Sequence, residues 1–147
     1  MRPNIHVHYF ENKQIEADVK RSVLLSAHLL PVWVDDVHVF NTEKDDDFYL
    51  QAFPVPHYRE IKIEVSLSWS HKDERRRVQM MRHELAHAII APMTDYVFRK
   101  VIAYLEDKNR ELYEFVESEF RDRMESVTQE LVFLFDRVEQ KRTSGTE

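Results

Sequence analysis

The stretch "EIKIEVSLSWSHKDERRRVQMMRHELAHAIIAPM", residues 60–93, changes its hydrophobic period midway, and that change decides the fold. In its first ten residues Ile61, Ile63, Val65, Leu67 and Trp69 alternate with Lys62, Glu64, Ser66 and Ser68. Period two is that of a strand with one buried face. From Ser70 the alternation stops. Ser70 followed by Asp73 makes a helix start, and Val78, Leu85 and Ile89 give the following run a core face. Pro92 is expected to close this helix at Ala91.

Upstream, "NIHVHYF" (residues 4–10) sets Ile5, Val7 and Tyr9 against Asn4, His6 and His8, a second period-two strand. Ile15, Val19, Val23, Ala27 and Leu30 then recur at three- and four-residue steps, predicting a helix over about 13–30 closed by Pro31. "VDDVHVF" and "DFYLQAF" read as two short strands joined as a hairpin through "NTEKDD". Downstream, a short helix is expected around 96–105, "EDKN" is expected to bend the chain, and a long helix should run from about 110 to 140. Its apolar stripe is Leu112, Val116, Phe120, Val127, Leu131, Leu134 and Val138. The sum is an α+β fold: an N-terminal strand and helix, a small mixed sheet, the helix of residues 70–91, and a long C-terminal helix. Residues 1–140 are expected to form one domain, with 141–147 a polar tail.

A chain of 147 residues, 43% hydrophobic and 33% charged, can bury a real core. Its net charge of −6 argues against non-specific binding to nucleic acid or to an anionic membrane. No run is apolar enough to span a bilayer or to act as a signal peptide, so a cytoplasmic protein is expected. With no cysteine, any metal must be held by His, Asp or Glu. With one glycine, Gly145 in the tail, every turn of the folded part must be built without that residue.

The chemistry concentrates in His83, Glu84 and His87, the pattern H-E-x-x-H. Residues four apart share a helix face, so both imidazoles can reach one zinc ion. Glu84, beside the first histidine, can reach the metal's remaining position without being a ligand. Zinc lowers the pKa of a bound water to about 7, and the glutamate can take its proton during attack on a carbonyl. The plainer alternative is a packed helix whose histidines only form hydrogen bonds.

A third ligand must come from elsewhere, and no histidine follows His87. A glutamate on the long helix is the other common solution. Glu130 borders the apolar stripe, where a carboxylate is costly unless paired or metal-bound. Glu119 has more polar surroundings and is the runner-up. His6 and His8 are read as exposed, and "KDERRR" (residues 72–77) as a solvated face paired with acidic neighbours.

With His83, Glu84 and His87 in "HELAHA" and a later helical glutamate in "TQELVF", the chain resembles the zincin metallopeptidases, and within them minimal single-domain gluzincins. Small proteins of this kind are known from phages and mobile elements. The resemblance implies zinc (Zn2+) bound by His83, His87 and Glu130, Glu84 as general base, and a protein or peptide substrate. It also implies that "KIEVSLSW" is an edge strand on which an extended peptide pairs through main-chain hydrogen bonds. Leu134 stands where larger members often carry an acidic residue, and no tyrosine or histidine is assigned as an oxyanion donor. A catalytically silent zinc-binding interaction module is the alternative reading.

Overall fold

The computed structural model describes residues 3–42 and 50–144, and the fold is α+β. Contacts divide the chain into two compact units, Met1–Ala91 and Pro92–Glu147.

The first unit is built on a four-stranded mixed sheet. Its strands are β1 (Asn4–Val7), β2 (Asp36–Asn41), β3 (Leu50–Val55) and β4 (Glu60–Val65), in the order β1-β2-β4-β3. β1 pairs β2 and β2 pairs β4 in parallel, whereas β3 runs antiparallel to β4. β4 therefore lies between β2 and β3, and the hairpin expected between β2 and β3 does not form. The hairpin is β3–β4, while the acidic segment expected to turn lies outside the described residues. Its turn passes through a 3-10 segment, Pro56–Tyr58, to Arg59 at φ 58°. A left-handed residue other than glycine is costly, and this chain has no glycine to put there. The Arg59 guanidinium compensates, donating to Asp35 Oδ1 at 3.1 Å and to the Val32 carbonyl at 3.2 Å.

One face of the sheet is apolar. Val37 and Val39 on β2 and Ile61, Ile63 and Val65 on β4 are fully buried. Against them pack Val19 and Val23 of α1 (Lys13–Ser26) and Met81, Leu85 and Ala88 of α2 (Glu74–Val97). Asn12 starts α1, its Oδ1 accepting the N–H groups of Gln14 and Ile15 at 3.0 and 3.2 Å. Asp73 starts α2, its Oδ1 accepting from Arg76 N at 2.9 Å. Of the basic run there, Arg77 bonds Asp18 of α1 at 3.0 Å and is largely buried rather than solvated, while the acidic Glu74 of the same segment bonds Arg21 at 2.9 Å.

Four local expectations are corrected. β1 ends at Val7, so Tyr9 is exposed and Phe10 is the buried aromatic. β4 ends at Val65 in a 3-10 turn, Leu67–His71, which exposes Leu67 yet still buries Trp69 completely. The core face of α2 is Met81, Leu85 and Ala88, with Val78 and Ile89 only half-buried. Finally, α2 does not stop at Ala91 but carries Pro92 inside it to Val97.

In the second unit α2 passes into a π turn, Phe98–Ile102, then α3 (Ala103–Glu106) and α4 (Arg110–Ser144). The short helix expected at 96–105 is thus these three pieces in series. Asn109 caps α4, its Oδ1 accepting from Leu112 N at 3.0 Å. Phe98 meets Phe120 of α4 edge-on at 5.3 Å, with Arg121 over the Phe98 ring. The stripe expected on α4 matches its buried face only in part: Val116, Phe120 and Leu131 are half-buried, whereas Leu112, Val127, Leu134 and Val138 are exposed and the fully buried positions are Thr128 and Val132.

Candidate metal centre

Turning Met81, Leu85 and Ala88 into the core leaves the opposite shoulder of α2 to His83, Glu84 and His87, all three half-buried. The helical repeat sets the two imidazoles one turn apart, edge to face, with ring centroids 5.1 Å apart and planes at 84°. One ligand atom from each of the three residues lies within 4.8 Å of the other two. Two nitrogens on one tetrahedral zinc stand roughly 3.3 Å apart, so atoms that lie within 4.8 Å of one another come to that spacing by side-chain rotation.

The donor set suits a borderline divalent ion: two neutral imidazoles and a carboxylate, with no thiolate. Two histidine ligands leave positions for a third ligand and for water or substrate, as an open rather than a closed site requires. His83 and His87 would hold the ion, and Glu84 would stand beside it.

Glu84 is itself tethered. Its Oε2 accepts the backbone N–H of Ala52, on β3, at 2.8 Å. In an antiparallel pair, alternate residues turn their N–H groups away from the partner strand. Ala52 and Pro54 share that outward parity, and Pro54 has no N–H to offer. This places β3, not β4, at the sheet edge beside the motif. The expectation that "KIEVSLSW" forms the edge strand is corrected: β4 is paired on both sides, and residues 66–69 of that stretch lie beyond its end.

Trp33 steadies the same helix. A proline inside a helix deprives the carbonyl four residues earlier of its donor, and for Pro92 that carbonyl belongs to Ala88, next to His87. The Trp33 indole N–H donates to the Ala88 oxygen at 3.1 Å. Neither Ala52 nor Trp33 was evident as a site residue in the sequence. The available signals were Pro54, which marks an edge strand, and Pro92, which implies a carbonyl in need of another donor.

The structure thus brings together His83, Glu84 and His87. Glu130 and Glu119 belong to the second unit, on α4, where both are exposed. Glu130 stands among Val127, Leu131 and Leu134 on the exposed apolar side of that helix. No helix among the described residues is long and apolar enough to cross a membrane. No protein-family model, curated protein or solved structure matches the chain.

Proposed function

We propose that this protein is a zinc-dependent metallopeptidase of minimal gluzincin type. The observation that carries the reading is the convergence of His83, Glu84 and His87 on one half-buried shoulder of α2. His83 and His87 hold the ion through their imidazoles, and Glu130 is the proposed third ligand, with Glu119 the alternative. Zinc, when bound, supplies a Lewis acid that polarises the scissile carbonyl and acidifies the attacking water.

The chain's own residues do the rest. With Oε2 held by the Ala52 N–H, the Glu84 carboxylate is oriented, and Oε1 is the oxygen assigned to proton transfer. Oε1 takes the proton of the attacking water and returns it to the departing amine nitrogen. An extended substrate meets β3 at the sheet edge and can donate to the outward carbonyls of Ala52 and Pro54 but finds no N–H there to accept from, so main-chain pairing is one-sided. Main-chain pairing of this kind selects an extended backbone more than a side-chain sequence.

The Ala52 bond also supports a second reading, a silent zinc-binding interaction module in which Glu84 ties helix to strand. The two readings part on one experiment. Metal content is measured by mass spectrometry on wild type, His83→Gln, Glu130→Gln and Glu119→Gln, with hydrolysis of protein substrates compared between wild type and Glu84→Gln. The peptidase reading expects His83→Gln and Glu130→Gln each to hold one zinc fewer per chain than wild type, and hydrolysis abolished in a Glu84→Gln protein that keeps the wild-type zinc content. Zinc without any Glu84-dependent hydrolysis favours the module. A wild type that takes up no zinc when it is supplied ends both.

A further inference from the structure

The opposite, solvent-facing side of the sheet carries a second histidine cluster, apart from the motif helix. His6 on β1 is in register with His38 on β2, and His8 follows just beyond the end of β1. The backbone keeps His8 in line, because its N–H donates to the Val39 carbonyl at 2.9 Å. The rings form a stack. His6 lies on His38 at 4.6 Å and 12°, and His8 lies on Phe40 at 4.2 Å and 5°. Within it, His8 Nε2 and His38 Nδ1 are 3.1 Å apart.

We propose that His8 Nε2 and His38 Nδ1 form a two-imidazole site for a late first-row divalent cation such as zinc, nickel or copper. An ion about 2.0–2.1 Å from each nitrogen holds them roughly 2.9 Å apart at a right angle and roughly 3.3 Å apart at the tetrahedral angle. The observed separation lies between these two values. Imidazole is a favoured ligand of these ions, and the surroundings supply the carboxylate that commonly backs a ligating histidine. Glu60 Oε2 is 3.9 Å from His38 Nε2, beyond direct hydrogen bonding, and Glu60 also pairs with Lys62 at 3.3 Å; its charge still favours a proton on that nitrogen and a lone pair on Nδ1. Asp36 adds a second negative charge, its Oδ1 bonded to His6 Nε2 at 2.8 Å, so that His6 walls the site without joining it.

Binding exchanges one contact for another. A neutral imidazole has one N–H and one lone pair, so the two rings now share a single proton in N–H···N. With an ion bound, His38 keeps its proton on Nε2 and His8 carries its proton on Nδ1. Both rings stay neutral and no proton is lost. Water completes the coordination.

The test uses the His83→Gln/His87→Gln protein, so that the imidazoles of the motif helix cannot contribute. Zn2+ is titrated in while long-range 1H–15N spectra follow each imidazole nitrogen. The expected result is a shift of His8 Nε2 and His38 Nδ1 to metal-bound values with one equivalent of zinc. Replacing His38 by Ala should weaken binding by about tenfold or more, while His57→Ala, at an exposed position, should leave it unchanged. Absence of a response at either nitrogen overturns the proposal, as does coordination through His28, His57 or His71. Because the double variant lacks both motif histidines, failure here leaves the peptidase reading untouched.

Discussion

Trp33→Phe probes whether the indole N–H replaces the donor that Pro92 lacks. The bond to the Ala88 oxygen is 3.1 Å long, and Ala88 is fully buried beside the motif histidines. Phenylalanine keeps an aromatic ring but removes the donor, leaving a buried carbonyl short of both Trp33 and Pro92. Stranding a buried polar group costs about 1–3 kcal/mol, to which the smaller ring adds a packing loss. The packing loss can be separated out. Pro92→Ala returns a backbone N–H to the Ala88 carbonyl, so Trp33→Phe in that background should cost the packing alone. The double-mutant cycle should then give a coupling of about 1–3 kcal/mol between two side chains that need not touch. Urea unfolding of the four proteins, followed by far-UV circular dichroism, measures it. If the costs add to within about 0.5 kcal/mol, the compensation argument is wrong.

Three further outcomes are expected. Ala52→Pro removes the donor to Glu84 without breaking a bond to β4, since that N–H points outward; on the peptidase reading the variant should fold and bind zinc as wild type does but lose hydrolysis, and unaltered hydrolysis would show that the tether does not orient the base. Asn12→Ala should cost about 1 kcal/mol in urea unfolding by leaving the Gln14 and Ile15 N–H groups without their cap. Asp36 is held below its ordinary value of 3.8 first by the hydrogen bond from His6 and then by that from Asn4. Its contribution to stability is therefore complete above about pH 3.8 and lost as pH falls through the lower folded value. Asp36→Asn should flatten that part of the acid limb, and an unchanged acid limb would contradict it.

Much of the fold was legible because periodicity is local. Ile61, Ile63 and Val65 announced β4, and Val19 and Val23 announced the buried side of α1, since burial on one face writes itself into the sequence. Strand order was not legible, because it depends on which strands meet in space; β4 inserts between β2 and β3 although it follows both in the chain. The end of α2 was misjudged for a related reason. Pro92 is a helix breaker by its own chemistry, and only a tryptophan 59 positions earlier makes it tolerable. At the centre, His83, Glu84 and His87 were readable because their spacing is itself the geometry. The choice of Glu130 leaned on the part of the stripe around Val127 and Leu134, which α4 leaves exposed, although Val116 and Phe120 nearer its start are half-buried. Its claim now rests on standing among exposed apolar neighbours.

The free side of β3 has one more consequence. A strand at a sheet border offers unpaired donors and acceptors to any passing extended chain, and so invites edge-to-edge aggregation. Here the donors at Ala52 and Pro54 are withheld, one engaged by a carboxylate from α2 and the other deleted by a pyrrolidine ring. A strand from another copy laid alongside would find carbonyls at both positions but no N–H to bond, and would meet the negative charge of Glu84. Glu84 therefore makes the border of the sheet a poor template for another copy's strand, leaving only one-sided pairing there.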